Sequence, residues 1–266
     1  MPDAIPIDII SPPSNDEFYR QYVAGNRPVV LRGAINDWPA LKLWTFRYFM
    51  ENFGNVDANA ARVKDGKGYI NVEEGIKFKS FSLKEALARV EDGKLEESWT
   101  ISTPVSLLPK SLLKDYTAPR YCAGGKFLTS LVFLGASGLA TPLHQDLQEN
   151  LYTTIKGRKR ITLFAPSAPV YPYSRFSKLP NFSQVDLGYP DYRRFPRLAK
   201  AQPYSAELSA GEILYIPSFW WHYIQNLEPS VAMNFWWAAG WRVPIVWAGI
   251  MYGRLRSLGN HSDVNK

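Results

Sequence analysis

The stretch Asn150-Leu-Tyr-Thr-Thr-Ile-Lys-Gly-Arg-Lys-Arg-Ile-Thr-Leu-Phe164 predicts two short strands joined by a turn at Lys156-Gly157-Arg158. The strands are rich in β-branched and aromatic residues, and the glycine lies between them. Similar short strands follow one another from about Lys126 onward, and no helices alternate with them. We therefore predict a mainly β fold, an antiparallel barrel or jelly roll. The predicted strands are Phe127 to Leu134, Asn150 to Ile155, Lys159 to Phe164, Glu212 to Pro217, Tyr223 to Asn226 and Val231 to Trp237.

The first half of the chain has mixed helix and strand patterns, which we expect to support the β core. Predicted helices cover Ser14 to Gly25, Trp44 to Phe53 and Ser82 to Val90, and a buried strand covers Arg27 to Arg32. We expect one domain over residues 1–266. It would comprise a mixed α/β support (1–125), the jelly-roll core (126–240) and a C-terminal helix and tail (241–266).

Two further segments carry expectations about access and assembly. The Pro-, Tyr- and Arg-rich segment from Ala165 to Ala210 is too long for a plain hairpin loop, which indicates a functional role. The sequence leaves open whether this segment is a lid. From Val243 to Leu258 apolar residues recur at helical spacing, and this stripe would pack on the body or on a second copy, as a homodimer.

The composition narrows the classes of protein. The single cysteine, Cys122, excludes an internal disulfide and a cysteine-based zinc or iron–sulfur site. The N-terminus lacks the pattern of an export signal, and polar residues interrupt the apolar region from Val231 to Met251. We therefore expect no membrane partner and a cytoplasmic or nuclear location. The net charge of +7 favours polyanions, either nucleic acid or acidic protein segments, although basic runs are more often solvated surface.

The chain has only three histidines, and two of them form the most informative chemical pattern. His144 and Asp146 are two residues apart, so on an extended strand they share a face, and His222 follows far downstream among aromatic residues. Two imidazoles and one carboxylate form the facial triad of non-haem Fe(II) oxygenases. Each feature also has an explanation without a metal. A single His-x-Asp motif is usually a surface or hydrogen-bonded pair, and His222 could be a histidine packed in the core.

Lys159 is the second chemical clue. If the turn at residues 156–158 joins a hairpin, strand alternation places Lys159 on the same face as Ile161 and Leu163. A buried ammonium needs an anion, and a ligand carboxylate is one candidate. The alternative is a lysine that extends to water from the end of its strand. On the preceding strand Asn150 and its alternate neighbours would face the metal ligands, unless a bulge after Asp146 changes the alternation.

Several motifs together resemble a known family. They are Thr141-Pro-Leu-His-Gln-Asp, Glu149-Asn-Leu, Ile155-Lys-Gly-Arg-Lys-Arg, Gln184-Val-Asp, Pro190-Asp-Tyr-Arg-Arg-Phe-Pro and Gly211-Glu-Ile-Leu-Tyr-Ile-Pro-Ser-Phe-Trp-Trp-His. Over roughly residues 15 to 240 the chain resembles the JmjC and cupin-like 2-oxoglutarate oxygenases. Within this family it resembles most closely the asparaginyl hydroxylases that inhibit hypoxia-inducible factor.

This resemblance implies a double-stranded β-helix, a jelly roll with helices outside. It also implies Fe(II) held by His144, Asp146 and His222, with 2-oxoglutarate and O2 as co-substrates. Residues implied near 2-oxoglutarate are Lys159, supported by Thr141, together with Asn150, Asn234 and the aromatic wall residue Trp236. The chain departs from the family near Trp99, where a co-substrate tyrosine is expected, and Tyr121 or Tyr152 could substitute for it.

The function implied by the resemblance is hydroxylation of a protein or peptide side chain with release of succinate and CO2. Hydroxylation of a tRNA or other RNA base is an alternative, because related enzymes act on tRNA and the chain is basic. Demethylation of histone lysine is less favoured, since one cysteine cannot build a zinc-binding reader. A different class of function is a non-catalytic cupin-like binding module.

Overall fold

The computed structural model describes residues 1–64, 67–68, 78–91, 99–122, 125–249 and 251. Its strands are β1 (Ile5–Pro6), β2 (Ile9–Ile10), β3 (Val29–Arg32), β4 (Asp57–Lys64), β5 (Lys67–Gly68), β6 (Phe78–Ser82), β7 (Trp99–Pro104), β8 (Gly125–Thr129), β9 (Leu131–Gly135), β10 (Ala140–Gln145), β11 (Glu149–Lys156), β12 (Lys159–Phe164), β13 (Tyr204–Leu208), β14 (Glu212–Ile216), β15 (Trp221–Asn226) and β16 (Ser230–Ala239). Its α-helices are α1 (Asn15–Phe18), α2 (Ala40–Leu43), α3 (Phe46–Phe53), α4 (Leu83–Glu91) and α5 (residues 243–249).

Two antiparallel strand groups form the centre of the molecule. In one group β10 pairs with β15, β15 with β12, and β12 with β13. In the other β9 pairs with β16, β16 with β11, β11 with β14, and β14 with β3. The predicted mainly β jelly roll with flanking helices is therefore confirmed. The first half of the chain contributes directly to these sheets, since β1 extends one group beside β13 and β2 extends the other beside β3.

The turn at residues 156–158 does not join a hairpin, and that part of the sequence interpretation is wrong. It connects β11 in one sheet to β12 in the other, and these two strands do not pair with each other. Gly157 makes this crossing possible, because its φ of 77° is left-handed and a Cβ there would lie 2.4 Å from the Pro229 carbonyl oxygen. Lys159 nevertheless takes the predicted face, which it shares with Ile161 and Leu163.

Buried side chains form three clusters, one between the two sheets and one on the outer face of each sheet. Between the two sheets lies an inner cluster that includes Tyr152, Ile161, Leu163, Leu214, Ile224 and Ala232. The outer face of the β11 sheet packs on the N-terminal helices through a large cluster with Phe18, Trp44, Phe49, Leu151 and Phe235. On the outer face of the β15 sheet, segment 165–203 packs through Val170, Val185, Phe195 and Leu198 against Trp221 and Tyr223.

The helices begin where the sequence predicts side-chain caps. Ser14 Oγ accepts a hydrogen bond from the Glu17 amide at 3.2 Å, and Ser82 Oγ accepts one from the Glu85 amide at the same distance. Such caps contribute about 1 kcal/mol each. The first helix is short, because α1 continues as a π-helix over Tyr19–Val23. The helix predicted from Trp44 to Phe53 is α3, which begins at Phe46 after the cap Thr45.

Other boundaries differ from the prediction in two places. The predicted strand Phe127 to Leu134 is broken at Ser130 into β8 and β9, and the long segment after Ala165 ends early because β13 begins at Tyr204. Of the C-terminal helix, residues 243–249 are helical, while 252–266 lie outside the described residues. The homodimer through this helix stays a prediction. Within the part of the chain that the structure covers, no helix has the length and apolar character needed to span a bilayer.

Candidate metal and co-substrate site

The structure brings His144, Asp146 and His222 together. His144 on β10 lies directly opposite His222 on β15, and Asp146 follows the end of β10. One ligand atom from each of the three residues lies within 4.8 Å of the other two. The two ring centroids are 4.0 Å apart, and His222 Nε2 is 3.6 Å from Asp146 Oδ2.

The inward direction of His144 depends on an irregularity in β10. The register between β10 and β15 shifts between Thr141 and His144, so β10 has one extra residue between the partners of Ile224 and His222, and Thr141 itself is exposed. Thr141 lies opposite Ile224, a member of the inner cluster. The interpretation in which the strands of His144 and Asn150 pair without interruption is wrong. β10 and β11 belong to different sheets, whose inner faces meet across the interior.

Both imidazoles are oriented by backbone carbonyls. His144 Nδ1 lies 2.8 Å from the Pro142 oxygen, and His222 Nδ1 lies 3.1 Å from the Trp220 oxygen. A proton on Nδ1 satisfies each carbonyl and leaves the Nε2 lone pair available for a metal. Burial, assisted by the neighbouring His144, lowers the pKa of His222 to about 4, which keeps this ring neutral at physiological pH. The Phe182 ring stacks on His144 at a centroid distance of 5.1 Å.

Asp146 is held through both its side chain and its backbone. Trp236 donates its indole N–H to Asp146 Oδ2 at 3.0 Å, and the Phe219 amide donates to the Asp146 carbonyl at 2.8 Å. The Trp236 contact uses only one carboxylate oxygen. The other oxygen stays available as a ligand atom, so the three residues offer two imidazole nitrogens and one carboxylate oxygen, the donor set of a non-haem iron site.

Lys159 is buried with neutral partners. Its Nζ donates to Asn226 Oδ1 at 2.5 Å and to Ser230 Oγ at 2.8 Å, and only 3% of the residue is exposed. Among the described residues no carboxylate lies within ion-pairing distance of this ammonium. Burial therefore lowers the pKa of Lys159 to about 7. The alternative interpretation, in which the lysine side chain extends to water, is wrong, because Lys159 is buried. The buried ammonium suits a ligand that carries its own negative charge.

Unpartnered polar atoms line the same inner faces. Within the described ranges the buried atoms without a hydrogen-bond partner include Asn150 Oδ1 and Thr154 Oγ1 on β11 and Asn234 Nδ2 on β16. Asn234 lies opposite Tyr152 in the strand register, and strand alternation puts both on the face of the inner cluster. Buried polar atoms are rarely left unpaired without a functional reason. These donors and acceptors fit a polar co-substrate between the sheets.

The two candidate tyrosines lie in different layers. Tyr121 donates its hydroxyl to the Pro13 carbonyl at 2.8 Å and packs on Phe18 in the outer cluster. Tyr152 belongs to the inner cluster, and Lys159 Nζ is 5.7 Å from its ring centroid. Trp99 begins β7, but its side chain lies outside the described part of the structure.

Sequence reasoning missed the residues that hold the predicted ones. Asn226 and Ser230, the partners of Lys159, and Phe182, the ring against His144, were not predicted. Asn226 lies opposite Lys159 in the β12–β15 register, so it could be found only if that pairing were known. The signal for Phe182 is weaker still, because it reaches the site through an isolated bridge from an irregular segment.

Comparison with known proteins identifies the family. Residues 15–241 match the family described as a cupin-like domain. The chain belongs to the cupin-like domain family. This cupin-like chain is 33% identical over 233 residues to lysine-specific demethylase 8 of Xenopus tropicalis, which covers 85% of the chain and 51% of that protein. The chain thus spans about half the length of that relative.

Two other relatives are matched over more of their length. The human bifunctional peptidase and (3S)-lysyl hydroxylase JMJD7 is 31% identical over 271 residues, covering 89% of the chain and 84% of that protein. The tRNA wybutosine-synthesizing protein 5 of Gallus gallus is 26% identical over 251 residues, covering 88% of the chain and 77% of that protein. Iron and 2-oxoglutarate are typical of oxygenases in this cupin-like family.

Proposed function

We propose that this protein is an Fe(II)- and 2-oxoglutarate-dependent dioxygenase that hydroxylates a side chain of a protein substrate. The observation that carries the proposal is the meeting of His144, Asp146 and His222 beside a buried lysine that has no carboxylate partner among the described residues. A binding module without catalysis would not need a three-residue donor set that leaves half of an octahedral ion open.

The donor set fits Fe(II) with two Nε2 atoms and one carboxylate oxygen. With iron bound, 2-oxoglutarate and O2 would supply the oxidation of a C–H bond, with release of succinate and CO2. The protein's own contribution is orientation. The carbonyls of Pro142 and Trp220 fix the imidazole rings, and Trp236 fixes the carboxylate.

Lys159 would bind the far carboxylate of 2-oxoglutarate by a charge-assisted hydrogen bond. Tyr152 is a better candidate than Tyr121 to replace the co-substrate tyrosine that the family has near position 99. It lies in the inner cluster close to Lys159, whereas the hydroxyl of Tyr121 donates to a backbone carbonyl. Asn150, Asn234 and Thr141 would supply further polar contacts, and the unpartnered amide atoms of the two asparagines support this role.

Protein side-chain hydroxylation is the favoured activity. The human relative at 31% identity is named a lysyl hydroxylase, and the motifs resemble asparaginyl hydroxylases, so lysine and asparagine are the first residues to test. RNA-base hydroxylation is the second candidate. It is favoured by the net charge of +7 and by the relative named for wybutosine synthesis in tRNA. A single domain, a cytoplasmic or nuclear location and a homodimer through α5 are further proposals.

The decisive test uses 18O2. The protein loaded with Fe(II) and 2-oxoglutarate is incubated under 18O2 with a cell extract, and peptides and nucleosides are both searched for one added heavy oxygen. The matched control is Asp146→Ala, which removes the anionic ligand. Labelled peptides that require Asp146 support the proposal, and labelled nucleosides support the RNA alternative. Succinate release is measured in the same samples. If none of them releases succinate, the proposed dioxygenase activity is wrong and the alternative of a non-catalytic binding module is favoured.

A further inference from the structure

A buried ion pair lies next to the candidate site and takes no part in the proposed chemistry. Glu149, at the start of β11, is fully buried, and Arg242, just before α5, is 6% exposed. Arg242 Nη1 donates to Glu149 Oε1. A buried ion pair is weak evidence for added stability, because desolvation of both charges offsets their attraction. Its connections to neighbouring residues indicate a different role.

The Glu149 carboxylate is saturated by donors. Besides Arg242, it accepts from the Tyr215 hydroxyl at 2.6 Å and from the Ser218 amide at 3.0 Å. Burial, followed by the negative charge of Glu149, raises the pKa of Tyr215, so this hydroxyl stays a donor. A carboxylate can accept on both oxygens, whereas an amide of the same shape would turn an N–H toward one of these donors.

The Ser218 contact fixes the start of the loop that leads to His222. The next residue, Phe219, has a left-handed φ of 66°, unfavourable for a residue with a side chain, and its amide holds the Asp146 carbonyl at 2.8 Å. The residue after that, Trp220, supplies the carbonyl that orients the His222 ring. Three consecutive loop residues therefore connect Glu149 to two of the three candidate metal ligands.

Arg242 holds the same loop from its other side. Its Nη2 donates to Asn26 Oδ1 at 3.1 Å, and the Asn26 carbonyl accepts from the Trp220 indole N–H at 3.1 Å. Asn26 is also left-handed, with φ of 48°. The guanidinium thus links the carboxylate at one end of the loop to the residue that anchors the ring of Trp220 at the other.

We propose that Glu149 and Arg242 are a pair of positioning residues that fix the relative placement of Asp146 and His222 for metal binding. The inference rests on the proposed function, since it assumes that these two side chains are metal ligands. Neither positioning residue contacts the metal itself. Their loss would widen the distribution of distances between the ligand atoms, and loss of comparable supporting contacts weakens metal affinity about 10–100-fold.

The experiment measures affinity for Co(II), followed by its visible absorption, in the metal-free full chain. The variants are Glu149→Gln and Arg242→Lys. The lysine retains the positive charge but cannot contact Glu149 and Asn26 through two separate nitrogens, as the guanidinium does. The matched control is Glu212→Gln. Glu212 is also a buried acid that accepts from an arginine, Arg32, and from a backbone amide, that of Ser209, but its contacts do not lead to the ligands.

We expect Co(II) to bind Glu149→Gln about 10–100-fold more weakly and Arg242→Lys about tenfold more weakly than wild type, and Glu212→Gln to bind like wild type. Thermal unfolding identifies the folded variants, and if Glu149→Gln does not fold, Arg242→Lys decides. Wild-type affinity in the folded variants would overturn the inference, as would an equal loss in Glu212→Gln. If wild type itself does not bind Co(II), the proposed function fails first.

Discussion

Replacing Lys159 by methionine should stabilise the protein while it destroys co-substrate binding. The lysine is buried against Asn226 and Ser230, and its pKa decreases from 10.5 to about 7. At about 1.4 kcal/mol for each pKa unit, the buried charge costs about 5 kcal/mol of folding free energy at neutral pH. Methionine fills a similar volume without this cost.

Part of the gain is lost, because the ammonium leaves two acceptors behind. Asn226 Oδ1 and Ser230 Oγ lose a donor, which costs about 1–3 kcal/mol. Asn226 keeps its other hydrogen bond, from Nδ2 to the Ala136 carbonyl. The net gain is therefore about 2–4 kcal/mol, which at about 2–4 °C per kcal/mol for a chain of this size raises Tm by at least about 5 °C.

The assay is thermal unfolding of the metal-free and co-substrate-free protein, followed by circular dichroism between pH 7 and pH 10. The folded pKa is lowered, so between about 7 and 10.5 the unfolded chain binds more protons than the folded one, and wild-type stability rises with pH. The advantage of Lys159→Met should shrink across this window. Lys156→Met, at an exposed position in the same turn, serves as the control. A lower Tm for Lys159→Met than for wild type, or an advantage independent of pH, would refute the reasoning.

Three further outcomes are expected. His144→Ala and Asp146→Ala should each abolish succinate release and weaken Co(II) binding more than 100-fold, since each removes a ligand, and calorimetric titration showing wild-type affinity would exclude that residue from the site. The affinity for 2-oxoglutarate, measured by calorimetry in Co(II)-loaded protein, should fall about tenfold per pH unit above pH 7, because Lys159 must be protonated to pair with a carboxylate; a flat profile from pH 7 to 9 would contradict this. Tyr152→Phe should weaken 2-oxoglutarate binding by about 1 kcal/mol, the value of one hydrogen bond, whereas Tyr121→Phe should leave it unchanged, and equal effects of the two would remove Tyr152 from the pocket.

The sequence predicts individual strands and the face that a side chain takes on one strand better than it predicts how strands pair. Alternation along β12 correctly gives the face of Lys159, because that rule is local to one strand. It cannot distinguish a hairpin from a turn that crosses between sheets, so the sequence reasoning wrongly paired the strands on either side of Gly157. The bulge before His144 is equally invisible, since the extra residue is defined only relative to the partner strand.

Residues that act through others are the hardest to find from sequence. In the sequence Glu149 is only part of the motif Glu149-Asn-Leu, and Arg242 is only one of the residues that interrupt the apolar region from Val231 to Met251. Their meeting depends on contacts across 93 positions of the chain. No periodic pattern encodes such a contact, because a single side chain at the end of a strand has no repeating neighbours that would mark its partner.

The crossing at Gly157, in which only Gly157 and Arg158 lie between β11 and β12, has a consequence for any variation in the length of that turn. In the structure Arg160 is exposed and pairs with Glu207. Inserting one residue before β12 would reverse the alternation of its side chains, so that Lys159 would move to the surface and Arg160 would enter the interior. Arginine is longer and does not release its proton at neutral pH, whereas burial lowers the pKa of Lys159 to about 7, so an arginine there would keep its full charge in the interior. The length of this turn therefore determines whether Lys159 or Arg160 faces the interior where the ligand would bind.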